Sequence, residues 1–273
     1  MQMRKSRVLR QLRAGKTTSC FKINLSDARV SEVAAISGFD CIWIDQEHIG
    51  QDWSIVAANI WATKAHNTDI MVRVSRGGYS DYIKPLELDA TGIMVPHIMG
   101  LEDARKVIQM TRFHPIGRRP IDGGNTDGAY TSLDFNDYLK QANEERFIVL
   151  QIEDVEPLDE LEAIAALEGF DMLFFGPGDF SQSIGAPGDW QNPKIIETRK
   201  RVAEVANKHG KFAGTVGSTD NLDELTAMGY HFVSIGADVV GLKNYCAGIV
   251  HAFNKTDKDA NQNSYLENQT SNK

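Results

Sequence analysis

The chain has 273 residues, of which 42% are hydrophobic and 24% charged, and its formal net charge is -8. This length suits one α/β barrel of about 250 residues. The acidic balance argues against a nucleic-acid surface, although a local cationic site for an anionic substrate remains compatible with it. No apolar run approaches the about 20 residues of a membrane span, and the basic start lacks the apolar core of a signal peptide. We therefore expect a cytoplasmic protein without membrane or nucleic-acid partners.

The cysteines point to the same compartment. Cys20, Cys41 and Cys246 are far apart, lie in apolar segments, and form neither a CxxC pair nor a metal-binding spacing. Buried, reduced thiols are therefore favoured over disulfides, as is typical of cytoplasmic proteins.

Short apolar runs of strand length alternate with helical segments along most of the chain. The predicted strands are, in order, TSCFKI, CIWID, IMVRV, GIMVP, FIVLQIE, MLFFG, KFAGTV and HFVSIGA. Between them, apolar residues recur with helical spacing, as in DARVSEVAAIS, DWSIVAANIWATKA, LEDARKVIQMTRF and DELTAMG. Eight strands alternating with helices predict a parallel sheet closed into a (β/α)8 TIM barrel. A doubly wound open sheet is disfavoured, because no GxGxxG motif follows the first strand.

Three segments fall outside this repeat. Residues 4–14 have helical spacing and are interpreted as a short helix closing the bottom of the barrel, with a basic interaction arm as the alternative. Residues 255–273 are polar and rich in Asn, which predicts a disordered tail after a barrel domain of residues 1–254. The Gly-rich connection 114–132 is either functional or mobile, and its sequence does not decide between the two.

Polar residues of the predicted barrel concentrate where its strands end, the edge at which barrel enzymes carry their active sites. The strands themselves are almost wholly apolar, so this accumulation indicates a functional site. The polar ends are Asp45-Gln46-Glu47-His48, Arg73, Pro96-His97, Gln151-Ile152-Glu153-Asp154, Gly176-Pro177-Gly178-Asp179, Gly214-Thr215-Val216-Gly217-Ser218 and Gly236-Ala237-Asp238.

Two carboxylates at this edge favour a divalent metal. Glu153 and Asp179 follow adjacent predicted strands, so their side chains can converge on one point. Two unpaired carboxylates that lie close together repel each other. Mg²⁺ or Mn²⁺ relieves this repulsion and also binds oxygens of water and substrate. The alternative for Asp179 is a cap on the following helix.

Residues of the second strand end suggest an acid–base pair. Asp45 precedes His48 by three residues, and a carboxylate can fix the tautomer of a histidine and raise its basicity. His97 and His231 have no such acidic run before them and are interpreted as space-filling residues. Arg73, inside an otherwise apolar strand, needs an anionic partner, either Asp45 or a substrate carboxylate or enolate oxygen.

These motifs resemble the HpcH/HpaI aldolase family, whose members are metal-dependent pyruvate aldolases on a (β/α)8 barrel. The similarity runs in order from about residue 9 to about residue 253. The combination of DxEH, QxE and GPxDxS is specific, although each piece alone is weak. The matching stretches are GFDCIWIDQEH, the third-strand Arg73, QIE, DYLKQAN, FFGPGDFSQSIGAP and HFVSIGADV.

The resemblance implies a role for each matching residue. It implies a lyase that cleaves a 4-hydroxy-2-oxo acid to pyruvate and an aldehyde, with Mg²⁺ or Mn²⁺ bound and Co²⁺ as a further candidate. The implied roles are Glu153 and Asp179 as metal ligands, His48 as acid/base paired with Asp45, Arg73 on the pyruvate end and enolate, Glu47 and Gln151 around the metal waters, and the backbone of Gly178 and Asp179 on the substrate carboxylate.

The resemblance also implies a homo-oligomer, commonly a hexamer built from dimers that exchange their C-terminal helix, here residues 239–253. Family members borrow an acidic residue from a neighbouring subunit. In this chain that residue is Glu87 or Asp89, and spacing favours Glu87.

Several departures from the family pattern leave the aldehyde-side pocket open. Gln46 and Gly178 replace the usual glycine and alanine, and Arg119-Pro120 replaces an arginine–glycine pair. An acyl-CoA lyase is the main alternative, for which Arg118-Arg119 is the only hint. A Schiff-base aldolase would need Lys22 as its nucleophile. A barrel that binds a 2-oxo acid and metal without turnover is the non-catalytic alternative.

Overall fold

The computed structural model describes residues 2–270 of the chain, and side chains from 2 to 255. Eight parallel strands close into a barrel in sequence order, as the sequence predicts. The strand ends shift by one residue at most from the predicted runs, and every predicted strand is present. The strands are β1 (Thr18–Ile23), β2 (Cys41–Asp45), β3 (Asp69–Arg73), β4 (Gly92–Val95), β5 (Phe147–Ile152), β6 (Met172–Phe175), β7 (Phe212–Gly217) and β8 (Tyr230–Ala237).

The helices follow the strands and surround the barrel. A single 3-10 turn (Glu156–Glu160) precedes α7. The helices are α1 (Arg7–Arg13), α2 (Ala28–Ile36), α3 (Trp53–Ala65), α4 (Tyr79–Glu87), α5 (Leu101–Thr111), α6 (Phe135–Glu145), α7 (Leu161–Ala165), α8 (Pro177–Ser183), α9 (Pro193–Lys208), α10 (Leu222–Ala227) and α11 (Asp238–Thr270). None of the helices searched over the described residues is long and apolar enough to cross a membrane.

Large apolar side chains fill the barrel interior, and α1 closes its lower end. Val8, Leu9 and Leu12 of α1 are buried in one cluster with Trp43 and Phe174 from the strands. The prediction of a short closing helix is therefore confirmed, and the basic-arm alternative is not needed.

A buried carboxylate fastens this N-terminal segment to the barrel. Asp69, at the start of β3, accepts hydrogen bonds from the Ser6 hydroxyl at 2.7 Å and the Val8 backbone N–H at 2.9 Å. Arg4 forms an ion pair with the other oxygen of Asp69 at 3.2 Å. Because both carboxylate oxygens of Asp69 accept hydrogen bonds, its buried negative charge is compensated at this end of the barrel.

Strand register decides which polar side chains meet at the opposite, C-terminal end. Asp45 pairs with Arg73 across β2 and β3. Ile152 pairs with Phe175 across β5 and β6, which places the following residues, Glu153 and Gly176, at one level. Predicted site residues from separate strands are thus brought to a common height.

The last helix carries an exposed apolar surface. Val240, Leu242, Ile249 and Phe253 are each more than half exposed in the single chain. Cys246 is exposed as well, so the prediction of three buried thiols is wrong at this position, while Cys20 and Cys41 are buried. The physical reason is that the apolar neighbours of Cys246 in the sequence, such as Tyr245 and Ile249, are themselves exposed in the described part of the chain.

The predicted tail, residues 255–273, lies almost entirely outside the residues whose side chains the structure describes, and the last three residues lie outside the described chain. The disordered tail and the domain limit at residue 254 therefore stay predictions.

Candidate active site

Glu153 lies at the centre of the polar end of the barrel. It directly follows β5 and is completely buried. Burial raises its pKa to about 7, against the opposing effects of the His97 backbone N–H and the His97 charge, and the nearby Asp179 raises it further. The side-chain amide of Gln151 donates a short hydrogen bond to one carboxylate oxygen of Glu153. A buried carboxyl of this kind is costly to ionise without a cation beside it.

Three potential ligand atoms converge at this point. One atom each from Glu47, His97 and Glu153 all lie within 4.8 Å of one another. Glu47 comes from the loop after β2, His97 from the end of β4 and Glu153 from the end of β5. Two carboxylates and an imidazole from three loops can together bind a divalent cation.

His97 is the residue that sequence reasoning misjudged. Its Nδ1 lies 2.8 Å from Asp154 Oδ2, and its Nε2 lies 3.4 Å from Glu47 Oε1. Its backbone N–H donates to Glu153 Oε1 at 3.0 Å. The space-filling interpretation of His97 is therefore wrong, because its ring lies among carboxylates rather than apolar side chains. Asp154, which sequence reasoning did not select, orients this ring.

His231 keeps the structural interpretation. Its Nδ1 lies 3.2 Å from the Thr17 hydroxyl, near the start of β8 and therefore at the end of the barrel opposite Glu153.

Asp179 lies in the first turn of α8 and is partly buried. It approaches Glu153 closely enough for its charge to raise the pKa of that residue. It is not part of the three-atom cluster found among the described residues. The preceding Gly178 is exposed, and a Cβ at this position would meet nothing within 4 Å. There is consequently open space beside Asp179 for a ligand.

Asp45 and Arg73 form the buried ion pair that the sequence left open. Arg73 Nε and Nη2 contact the two carboxylate oxygens of Asp45 at 3.0 Å and 2.5 Å. Lys22 Nζ lies 2.9 Å from Asp45, and Arg73 Nη1 lies 3.0 Å from Glu47. Although burial alone would raise it, these two cations hold the pKa of Asp45 well below its usual range. Asp45 is thus a fixed anion that orients Arg73.

His48 is placed differently from the prediction. Asp45 Oδ1 accepts the backbone N–H groups of Glu47 at 3.1 Å and His48 at 3.3 Å, and therefore fixes the chain at this turn. The His48 ring is 56% exposed, and its nearest carboxylate is Glu47 at 3.6 Å. The predicted side-chain pair of Asp45 and His48 is not found among the described contacts, because Arg73 and Lys22 already occupy the Asp45 carboxylate.

The chain matches the family profile described as HpcH/HpaI aldolase/citrate lyase over residues 19–244. The chain belongs to this family. The family membership and the barrel expected from the sequence are both confirmed, and the protein is a carbon–carbon lyase.

Individual relatives are similar at a lower level. A 2-keto-3-deoxy-L-rhamnonate aldolase from Klebsiella pneumoniae is 29% identical over 232 residues, which cover 85% of this chain and 86% of the relative. The crystal structure of the citrate synthase SbnG has a TM-score of 0.83 at 28% identity, covering 91% of this chain and 98% of that one. An HpcH/HpaI aldolase/citrate lyase family protein from Burkholderia cenocepacia has a TM-score of 0.84 at 27% identity, with 92% and 99% covered.

The residues of this HpcH/HpaI lyase fit a divalent cation. The donors are oxygen and nitrogen atoms, and Glu153 is a buried carboxyl that a cation would stabilise in its charged form. Gln151 Oε1 is buried without a hydrogen-bond partner among the described residues, so it can accept from a metal-bound water. Gly176 allows this packing: a Cβ there would come within 2.5 Å of Glu153 Oε2 and 2.8 Å of Gln151 Nε2.

The two candidates for a shared acidic residue differ sharply. Asp89 is buried in ion pairs with Arg146 and Lys64, so its charge is already used within the chain. Glu87, at the end of α4, is partly buried, and burial raises its pKa. No ion pair to Glu87 is found in the described part of the chain, which leaves Glu87 as the available residue.

The connection over residues 114–132 is anchored at one buried cluster. Arg119 forms an ion pair with Asp127 at 2.7 Å, and the Tyr138 hydroxyl donates to Asp127 at 2.8 Å. Arg119 is therefore not part of an exposed basic rim, and only Arg118 of that pair remains exposed.

Proposed function

We propose that this lyase is a divalent-metal-dependent aldolase that reversibly cleaves a 4-hydroxy-2-oxo acid to pyruvate and an aldehyde. The observation that carries the proposal is the buried Glu153 carboxyl. It lies near Asp179, and its ligand atom is within 4.8 Å of those of Glu47 and His97. The similarity of this chain to a 2-keto-3-deoxy-L-rhamnonate aldolase supports the same reaction class.

Glu153 and Asp179 would hold the metal, with Mg²⁺ or Mn²⁺ as the first candidates and Co²⁺ as a further one. When bound, the cation supplies Lewis-acid polarisation of the 2-oxo group. Gln151, whose free amide oxygen borders Glu153, would bind a metal water or the substrate. The exposed backbone of Gly178 and Asp179 would receive the substrate carboxylate.

Arg73 provides the fixed positive charge for the pyruvate end. Its guanidinium is held by Asp45 and Glu47, and only 4% of the residue is exposed. A rigid cation stabilises an enolate oxygen without reorganising during the reaction. His48, exposed beside Glu47, would take the proton of the 4-hydroxyl group and return it in the aldol direction.

Release of pyruvate is the test of this proposal. Purified protein should release pyruvate from a panel of 4-hydroxy-2-oxo acids, including 2-keto-3-deoxy-L-rhamnonate, only when a divalent metal is present. The aldehyde formed by the best substrate defines the specificity. If no member of the panel releases pyruvate, the aldolase assignment is contradicted. The remaining alternative is then a barrel that binds a 2-oxo acid without turnover.

The alternatives predict different results in that assay. An acyl-CoA lyase would act on acyl-CoA esters instead, but burial of Arg119 removes half of the basic pair expected at its rim. A Schiff-base aldolase would be trapped by borohydride with pyruvate. Lys22 Nζ is engaged in an ion pair with Asp45 at 2.9 Å, whereas a Schiff-base lysine needs an amine free to attack the substrate carbonyl.

A homo-oligomer, commonly a hexamer in the family, belongs to the same proposal. The exposed apolar residues of α11 support it, since monomers rarely expose contiguous apolar patches. A neighbouring subunit would cover this surface and would contribute Glu87 to the site. A cytoplasmic location is supported by the free thiols of Cys20 and Cys41.

A further inference from the structure

The backbone at His97 has an unusual conformation for its residue type. Its φ is 48°, in the left-handed region that favours glycine. Such conformations cost free energy and persist where the surroundings enforce them, often at functional sites. Here the constraint is visible, because the His97 N–H donates to Glu153 Oε1 at 3.0 Å. The strained turn directs the ring into the cluster that contains Glu153.

Asp154 determines which nitrogen of His97 is available. Asp154 Oδ2 lies 2.8 Å from Nδ1. A carboxylate can only accept a hydrogen bond, so the ring proton resides on Nδ1 and the lone pair of the neutral ring is on Nε2. Histidines that bind metals commonly donate their other N–H to a carboxylate in this way.

The other ring nitrogen faces a second acceptor. His97 Nε2 lies 3.4 Å from Glu47 Oε1, whereas Nδ1 lies 3.8 Å from Glu153 Oε1. One ligand atom from each of Glu47, His97 and Glu153 lies within 4.8 Å of the others. Two acceptors that face each other repel unless a proton or a cation lies between them. Asp154 and Glu47 therefore stand at opposite sides of one imidazole, with Asp154 as the orienting partner and Glu47 on the metal-binding side.

We infer that His97 is a nitrogen ligand of the metal, oriented by Asp154, and that it shifts the preference of the site towards Co²⁺ or Zn²⁺ over Mg²⁺. The inference deepens the proposed function and rests on its metal dependence. Imidazole suits the later transition metals, whereas a site of carboxylates and water suits Mg²⁺. The nitrogen ligand thus separates this site from one built on Glu153 and Asp179 alone.

Metal binding in the absence of substrate tests the preference. Calorimetric titration of the metal-free full chain with Co²⁺ and with Mg²⁺ is compared for wild type, His97→Gln, Asp154→Asn and the control His48→Gln. His97→Gln should lower the affinity for Co²⁺ much more than the affinity for Mg²⁺. Asp154→Asn should lower the affinity for Co²⁺ by about 10–100-fold. His48→Gln should change neither affinity. Equal losses for both metals in His97→Gln would overturn the preference.

A spectroscopic measurement tests the ligand itself. Pulsed electron paramagnetic resonance of Mn²⁺-loaded protein should detect coupling to one ¹⁴N nucleus in wild type and in His48→Gln, and none in His97→Gln. Coupling that persists in His97→Gln, or that disappears in His48→Gln, would overturn the assignment. Mn²⁺ bound without ¹⁴N coupling would reject the nitrogen ligand alone, while absence of any metal binding would also reject the metal-dependent aldolase.

Discussion

Two cations share the carboxylate of Asp45, so the charges around Arg73 are balanced. Arg73 contacts two carboxylates, Asp45 and Glu47, which together outweigh its single charge. Lys22 supplies the second positive charge at 2.9 Å from Asp45. Both cations also lie 5.0 Å from the ring of Trp43, which favours cations over its face.

Replacing His48 tests the proposed acid–base role. His48→Ala should lower kcat by about two to four orders of magnitude, the usual contribution of a positioned acid or base. Pyruvate binding should change far less, because the metal donors and Arg73 are unaffected. Steady-state kinetics with the best substrate, together with pyruvate titrations, measures both effects. His66→Ala, which removes another histidine beside a surface carboxylate, is the control, and near-normal turnover of His48→Ala would exclude His48 from the mechanism.

Gly176 gives a second test at the level of one side chain. In Gly176→Ala the new methyl group would come within 2.5 Å of Glu153 Oε2, so the buried carboxylate must move. We expect metal affinity measured by calorimetry to fall by about tenfold or more, because ligand displacements are transmitted directly to the metal. Gly178→Ala adds a methyl group in open space two residues later and should retain its metal affinity. Equal affinity in both variants would mean that Glu153 is not a ligand.

What sequence can predict at this scale depends on the origin of the contacts. Glu153, Asp179 and His48 are predicted as site residues because they follow apolar strands, and Arg73 because it is a cation inside one. The contact of His97 with Asp154 was not predicted, because the two residues are 57 positions apart along the chain. Pro96-His97 at a strand end and a second acid after Glu153 were the available signals.

At the scale of elements, α11 exposes apolar side chains along the part of the helix whose side chains the structure describes. An apolar groove lies between α11 and α2, lined by Phe21, Val30, Leu242 and Tyr245 among others. Val33 on α2 is also exposed, at 63%. Apolar residues spaced along one helix face in this way are normally buried against another surface.

A charge placed on that helix face tests whether it forms a subunit interface. Light scattering should give a multi-subunit mass for wild type and a smaller mass for Ile249→Glu, because a carboxylate cannot be buried there without a partner. Asn244→Glu adds the same charge to an exposed polar position of the same helix and should keep the wild-type mass. A fully active monomeric wild type would rule out a shared active site.

For the whole molecule, the sequence predicted the barrel well because each strand is a short, mostly apolar run of the right length. The order of the strands followed from alternation with helices, and α1 from its helical spacing. Exposure of Cys246 could not be predicted, since apolar neighbours in a sequence indicate burial without identifying the chain that provides it. The contacts of Asp45 with Lys22 and Arg73 could not be decided from the sequence either, because they depend on the register of three strands, β1 to β3.

Glu87 is the residue through which we propose that assembly contributes to catalysis. Burial raises its pKa, so the folded state disfavours its charged form, and its contribution to stability falls as pH rises through the folded pKa. Glu87→Gln should therefore unfold at the same or higher urea concentration at neutral pH, with a weaker pH dependence. If Glu87 serves a neighbouring site, kcat/KM should nevertheless fall. Glu197→Gln, at an exposed position of α9, is the control. Full activity of Glu87→Gln would exclude the shared residue.

We propose that Arg73 and a bound divalent metal together stabilise a pyruvate enolate. Exchange of the pyruvate methyl protons with D₂O, followed by NMR, measures enolate formation without requiring knowledge of the aldehyde. We expect exchange with wild type and Mn²⁺, none after exhaustive chelation, and a loss of about 100-fold or more in Arg73→Lys, comparable to removing one donor to a developing oxyanion. Arg76→Lys, in an ion pair with Asp103 outside the site, should exchange normally. Exchange that continues unchanged in the chelated protein, or no exchange with metal present, would contradict the account.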